Sequence, residues 1–171
     1  MDEFIRKCEA RGIEARRGDL NEPLPFEEDS FDAVVANQVL EHLHNTDLFI
    51  TEIYRVLRPG GYAVVSTPNL AAWHNIACLF LGWVPFSVSL LQRAGVGNPL
   101  FPKSEGHVEH YPEHYRIPTY RGLKEMLLHY GFRKEKMIGT GYYPLTIPIA
   151  RLASRLNPRH SVIITAKVRK S

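Results

Sequence analysis

Residues 18–43 read GDLNEPLPFEEDSFDAVVANQVLEHL and residues 56–69 read VLRPGGYAVVSTPN; between them they decide the fold. A glycine and an acid close a short extended run over residues 13–17. The apolar run 31–36 is of the kind found in buried parallel strands, and it ends in the polar pair Asn37–Gln38. Residues 46–57 place Ile50, Ile53, Tyr54 and Leu57 on one helical face, with Asp47 near the start. Pro59-Gly60-Gly61 stops that helix and launches a strand over 62–67. Strand, helix and strand in this order predict a right-handed parallel crossover. Open sheets of that type bind ligands at the carboxyl ends of their strands, where Asp19, Asn37 and Gln38 fall.

Outward from this centre, residues 2–11 read as an amphipathic helix stopped by Gly12. Residues 69–101 are the least regular part, with one or two apolar helices. Residues 106–120 form a connector rich in His and Tyr. A helix over 119–130 is closed by Gly131, a good left-handed cap. A strand over 132–139, a short helix over 149–156 and a last strand over 161–169 complete the chain. There is no internal repeat, and 171 residues suffice for one domain with a core.

Charge is uneven although the net is only +3: residues 1–60 hold 13 of the 18 acids, and from Arg151 onward there are six bases and no acid. That basic end is either a solvated face or an attraction for phosphates of a substrate or a membrane surface. Cys8 and Cys78 lack metal spacing and read as free thiols, which suits a reducing, cytoplasmic setting. The first residues have no signal-peptide apolar core. Residues 70–92 contain no Asp, Glu, Lys or Arg, but Gly82 and Pro85 interrupt them. A buried or interfacial lid fits better than a membrane span.

Several residues carry candidate chemistry. Asp19 either closes an Asx turn or accepts a hydrogen bond from an exocyclic amine, with the Leu20 N–H reaching a ring nitrogen. Asn37 and Gln38 either cap the next turn or face a zwitterionic ligand. Glu41–His42 is either a structural pair or a proton acceptor working near neutral pH. His107, His110 and His114, with Tyr111 and Tyr115, form a second cluster, read as a substrate lid or a polar connector. Trp73, Phe80, Trp83 and Phe86 either cap the core or line a pocket for a long apolar acceptor. The pairs Gly95-x-Gly97 and Gly139-x-Gly141 lack the third glycine and the strand–loop–helix setting of a cofactor loop.

On GDLNEPLPF, FDAVVANQVLEHL and VLRPGGYAVVSTPN, the chain resembles the second half of a class I S-adenosylmethionine-dependent methyltransferase of the small-molecule, ubiquinone-biosynthesis-like group. That resemblance implies an α/β, Rossmann-like methyltransferase sheet, mostly parallel with an antiparallel C-terminal strand. It implies S-adenosylmethionine as cofactor, contacted by Asp19, Leu20, Asn37 and Gln38, with Glu41 and His42 catalytic at the acceptor. It places substrate contacts on His107, His110, Tyr111 and Trp73, in a lid insertion at about 70–118 of a single domain spanning 1–171. The apolar segment after Asn69 resembles an elaboration of methyltransferases of cell-surface glycan or lipid-linked saccharide assembly.

The family opens with a strand and a Gly-rich loop, then a second strand ending in an acid; neither precedes Met1. The expectation is therefore a truncated domain lacking the first two strands, which in the full fold lie between 13–17 and 31–36. Their loss bares a strand edge, so the chain is expected to dimerise along it or to move the run 13–17 over it. Small-RNA 3′-end methyltransferases share a similar run with a metal-binding Glu where Gln38 stands here, so no metal is expected. The partner expectation is a small-molecule or lipid-linked substrate, with peripheral membrane contact as an option and no nucleic acid. The alternative from another class is a non-catalytic oligomerisation or binding module.

Overall fold

The computed structural model describes residues 2–88, 90, 96–101 and 114–171. Its elements are α1 (Asp2–Glu9), β1 (Phe31–Asn37), a 3-10 turn (Leu40–His42), α2 (Thr46–Val56), β2 (Leu57–Pro68), α3 (Trp73–Phe80), α4 (Tyr120–His129), β3 (Arg133–Thr140), α5 (Ile147–Leu156), a second 3-10 turn (Pro158–His160) and β4 (Ile163–Arg169).

The four strands form one sheet in the order β1-β2-β4-β3. β1 pairs parallel with β2, and β4 runs antiparallel to both β2 and β3. Three strands therefore point one way and the C-terminal strand points the other. Their common carboxyl end carries Asn37, Pro68 and Thr140, with Ile163 opposite the last two. Pro59-Gly60-Gly61 lies inside β2 as an irregularity, between the Phe31–Leu57 and Ala33–Tyr62 pairs. Gly60 adopts φ +77°, and a Cβ on Gly61 would stand 2.9 Å from the Arg58 carbonyl oxygen, so each glycine is needed.

Helices form where local signals agree with burial. Asn45 caps α2 by accepting from Leu48 N–H at 3.2 Å, and Asp47 lies in the first turn, favourable to the helix dipole. Phe49, Ile50, Ile53 and Val56 then face the core. Thr119 caps α4 through Gly122 N–H at 3.1 Å, Leu123 and Leu127 are buried, and Gly131 follows at φ +88°. Both helices pack on one face of the sheet, against Ala63 and Val65 of β2 and Ile164, Ala166 and Val168 of β4. Each fully buried Leu or Ile there contributes roughly 1.5–3 kcal/mol.

The other face is only partly covered. Val35 of β1 is 70% exposed, and Tyr62 packs under the Lys167 ammonium, 4.5 Å from the ring centroid. Lys167 and Arg169 both pair with Glu135 of β3.

Two expectations are corrected. Residues 13–17 are not a strand: among the described residues no strand forms a ladder with them, and an extended run without a neighbouring strand has no ladder to hold it. Consequently this run does not cover β1, which remains the edge of the sheet. The run 31–36 is not buried on both faces either: Ala36 is buried and Val34 half-buried, while Ala33 and Val35 are exposed. Among the described residues the apolar stretch after Asn69 forms one short helix, α3, ended by Gly82 at φ +71°.

Candidate functional site

The site is built where β1 and β2 end. The backbone N–H of Gln38 donates to the Ser66 carbonyl at 2.9 Å, and its side-chain Nε2 donates to Ser66 Oγ at 3.3 Å. Gln38 itself sits at φ +55°, a left-handed conformation uncommon for a non-glycine residue and typical of functional turns. It turns the chain sharply off the sheet into the 3-10 turn and leaves Asn37 exposed at the strand's end.

That turn buries Leu40 and Glu41. Glu41 is 1% exposed, and its Oε2 accepts from the Thr67 hydroxyl at 3.0 Å, across from β1 to β2. His42 projects outward, with Nε2 3.9 Å from Glu41 Oε1. Two contacts bring the end of the connector onto this turn. Tyr115 N–H donates to the Glu41 carbonyl at 2.8 Å, and the His42 and His114 rings lie 4.9 Å apart. His114 Nδ1 is 2.8 Å from the Ser87 carbonyl oxygen.

Asp19 stands on the loop before β1. Its Oδ1 accepts from Asn21 N–H at 2.9 Å and from Asn21 Nδ2 at 3.0 Å, and these two donors hold its carboxyl below the ordinary aspartate value. Asn21 Oδ1 in turn accepts from the backbone N–H of His44 at 2.8 Å and of Asn45 at 3.1 Å. The Asp19 loop is thereby fastened to the segment just after the 3-10 turn, at the carboxyl end of the sheet. Leu20 packs against the core beside it.

The predicted residues thus divide. Asp19, Leu20, Asn37, Gln38, Glu41 and His42 are gathered around the end of β1 and the turn that follows. Trp73 is 56% exposed in the first turn of α3, while its neighbour His74 turns inward against Phe86 and Tyr143. His107, His110 and Tyr111 lie outside the described residues. Sequence reasoning missed Asn21 and Thr67. Thr67 ends a strand whose alternation marked it for burial, which was the available signal. Gly139 and Gly141 are accounted for by packing: a Cβ on Gly139 would stand 2.7 Å from the Pro158 carbonyl oxygen, and Gly141 has φ +80°.

Residues 1–65 match the model of a methyltransferase domain family. The chain is 51% identical over 57 residues to a protein of Mycolicibacterium smegmatis described as a probable S-adenosylmethionine-dependent methyltransferase, covering 33% of this chain and 22% of that one. It is 44% identical over 57 residues to the mitochondrial ubiquinone biosynthesis O-methyltransferase of Rattus norvegicus, covering 33% of this chain and 16% of that one. The fold matches a S-adenosylmethionine-dependent methyltransferase from Thermotoga maritima with TM-score 0.65 at 15% identity, over 99% of this chain and 70% of that one. Over residues 1–65 the chain is therefore similar to a methyltransferase domain, and its fold is that of solved S-adenosylmethionine-dependent methyltransferases. The chain spans between 16% and 33% of the length of the first curated relatives it matches. The family match covers α1, the Asp19 loop, β1, the 3-10 turn after it, α2 and most of β2, a span that includes all six of the gathered residues.

Proposed function

We propose that the whole protein transfers a methyl group from S-adenosylmethionine to an oxygen of a small or lipid-linked metabolite. One observation carries this reading. Asn21 ties the Asp19 loop to the backbone after the 3-10 turn, so an ionised carboxylate and the polar end of β1 share one end of the sheet. An ionised Asp19 suits the exocyclic amine of adenine, Leu20 offers a backbone N–H and an apolar surface beside it, and Asn37 and Gln38 offer amides to the ribose side. These residues fit the adenosine part of the cofactor; the methionine part is not assigned to any residue. When bound, S-adenosylmethionine supplies a methyl group on a sulfonium.

With the cofactor bound and its methyl group passing to the acceptor oxygen, His42 would take the proton from the acceptor hydroxyl, and the buried Glu41 beside it would stabilise the imidazolium. The ubiquinone-biosynthesis relative from Rattus norvegicus is named an O-methyltransferase, which favours oxygen over nitrogen. Ile147, Ile149, Leu152 and Leu156 are exposed on α5 among Arg151 and Arg155, which supports contact with a lipid-linked acceptor or a membrane surface. Among the described residues no helix is long and apolar enough to cross a membrane. We place the work of this domain, with its lid at about 70–118, in a reducing, cytoplasmic setting, as the free Cys8 and Cys78 suggest.

Calorimetric titration of the protein with S-adenosylhomocysteine tests the reading. Micromolar binding that Asp19→Asn weakens is the expected result, and absence of binding overturns it. The non-catalytic reading keeps one specific support, the open edge of β1 with Val35 bare on its uncovered face.

A further inference from the structure

We propose that the pocket between the end of β2, the start of α4 and the second 3-10 turn binds a phosphate group carried on an organic molecule. The pocket measures about 580 Å³, and Ala71, Tyr120, Lys124, Arg159 and His160 line it. Calling that molecule the methyl acceptor rests on the methyl-transfer reading; the anion site does not.

The walls of the pocket are fixed by buried ties. Asn69, 0% exposed just beyond the end of β2, donates through Nδ2 to the Arg159 and Ser161 carbonyls, both at 2.8 Å. The Leu70 N–H donates to the Pro118 carbonyl at 3.1 Å, which brings the start of α4 against the same strand end. His160 Nδ1 stands 2.8 Å from the Ala71 carbonyl oxygen, a partner that can only accept. Nδ1 therefore carries the proton, and Nε2 is the ring nitrogen left for a ligand. Thr119, also in the lining, accepts from Gly122 N–H at 3.1 Å and keeps its own hydroxyl proton to donate.

Charge decides what such a pocket takes. Among the described residues its lining holds Arg121, Lys124 and Arg159 against one acid, Glu125. Arg121 engages Glu125 at 2.7 Å on the exposed side of α4. No acid among the described residues pairs with Lys124 or Arg159. These two cations come from different walls, α4 and the 3-10 turn, so they can hold separate oxygens of one group. A phosphate monoester offers three acceptor oxygens and close to two negative charges, and an arginine fork matches two of those oxygens. The Tyr120 ring and Ala71 add apolar surface for the organic part. Arg159 is one of the six bases from Arg151 onward, so part of the basic end acquires a specific use.

The position suits an acceptor. Thr67, bonded to Glu41 at the candidate site, stands four residues before Ala71. Four peptide units hold their Cα atoms within about 15 Å of each other. Pro68 ends β2 between them, at the end of the sheet where open α/β folds take their ligands. A phosphorylated acceptor of modest size would reach from one to the other, anchored here and methylated there.

Calorimetric titration of the chain with inorganic pyrophosphate, in phosphate-free buffer at low ionic strength, tests the site. One equivalent should bind. Lys124→Gln and Arg159→Gln should each weaken binding by about 5–20-fold, with circular dichroism unchanged. Glu125→Gln should tighten it by about 2–5-fold, because it removes the pocket's acid and releases Arg121. Lys134→Gln, at the far end of β3, should bind as the parent does. No saturable uptake, equal affinity for malonate and pyrophosphate, or no weakening in Lys124→Gln and Arg159→Gln overturns the proposal. Vesicles of phosphatidylcholine with phosphatidic acid separate the sources of the phosphate. Co-sedimentation that Arg159→Gln abolishes assigns it to a lipid, and pyrophosphate binding without co-sedimentation assigns it to a soluble acceptor. Pyrophosphate binding without S-adenosylhomocysteine binding would end the methyl-transfer reading and leave the anion site standing.

Discussion

The Lys170 ammonium lies 2.8 Å from Asp29 Oδ1 and 2.7 Å from the Leu57 carbonyl oxygen, so the last turn of chain clips onto the entrance of β1 and β2. Lys170 is only 7% exposed and its ammonium also sits 4.9 Å from the centroid of the Tyr54 ring, whereas the Asp29 side chain is 44% exposed. Removing the lysine strands buried carbonyls; removing the acid leaves the ammonium two other acceptors. Lys170→Met should cost about 2–4 kcal/mol and Asp29→Asn less than about 1 kcal/mol in urea unfolding. Equal losses would contradict this asymmetry.

Glu52 links α2 to the loop before β1. Its carboxylate accepts from Arg55 Nε and Nη2, both at 2.7 Å, and from Leu24 N–H at 2.8 Å. The Arg55 hydrogen bonds, chiefly, hold its carboxyl below the ordinary glutamate value of 4.5. A depressed carboxyl contributes stability that is complete above the unfolded value and is lost as pH falls through the folded one. Stability should therefore decline below about pH 4.5, and the decline should be shallower in Glu52→Gln. Unfolding curves at several acid pH values measure it, and parallel profiles for parent and variant would refute the assignment.

Asn21 makes no proposed contact with the cofactor, yet its amide holds Asp19 and the backbone at His44 and Asn45. Asn21→Ala should weaken S-adenosylhomocysteine binding roughly 5–10-fold while leaving the far-ultraviolet circular dichroism unchanged. An unaltered dissociation constant would show that the loop's anchorage is irrelevant to binding.

Gly139 faces the second 3-10 turn so closely that an added Cβ would meet Ser161 Cβ at 2.6 Å. Gly139→Ala should lose about 2 kcal/mol of stability through overpacking, with the ligand affinity of the remaining folded protein intact. A stable variant that has lost ligand binding would instead make this glycine part of the site.

β1 is the edge of the sheet, and Val35 is bare beside it. Self-association along β1 should appear as a concentration-dependent dimer in sedimentation velocity, and Val35→Lys should shift it to monomer. A parent protein that stays monomeric across the accessible range would end the dimer expectation.

What the sequence determined by itself lies within short spans. The crossover β1–α2–β2 follows from an apolar run, an Ile50–Ile53–Leu57 stripe and a Pro-Gly-Gly stop, all readable in about forty residues. The end of α4 follows from Gly131, and the placement of Glu41–His42 from its position just after β1. Only the tertiary structure decided the rest. Whether 13–17 is a strand depends on a neighbour to pair with, which no local pattern supplies. Glu41 meets Thr67 across 26 residues, and His114 arrives from the far end of the connector; such meetings are set by how the sheet closes.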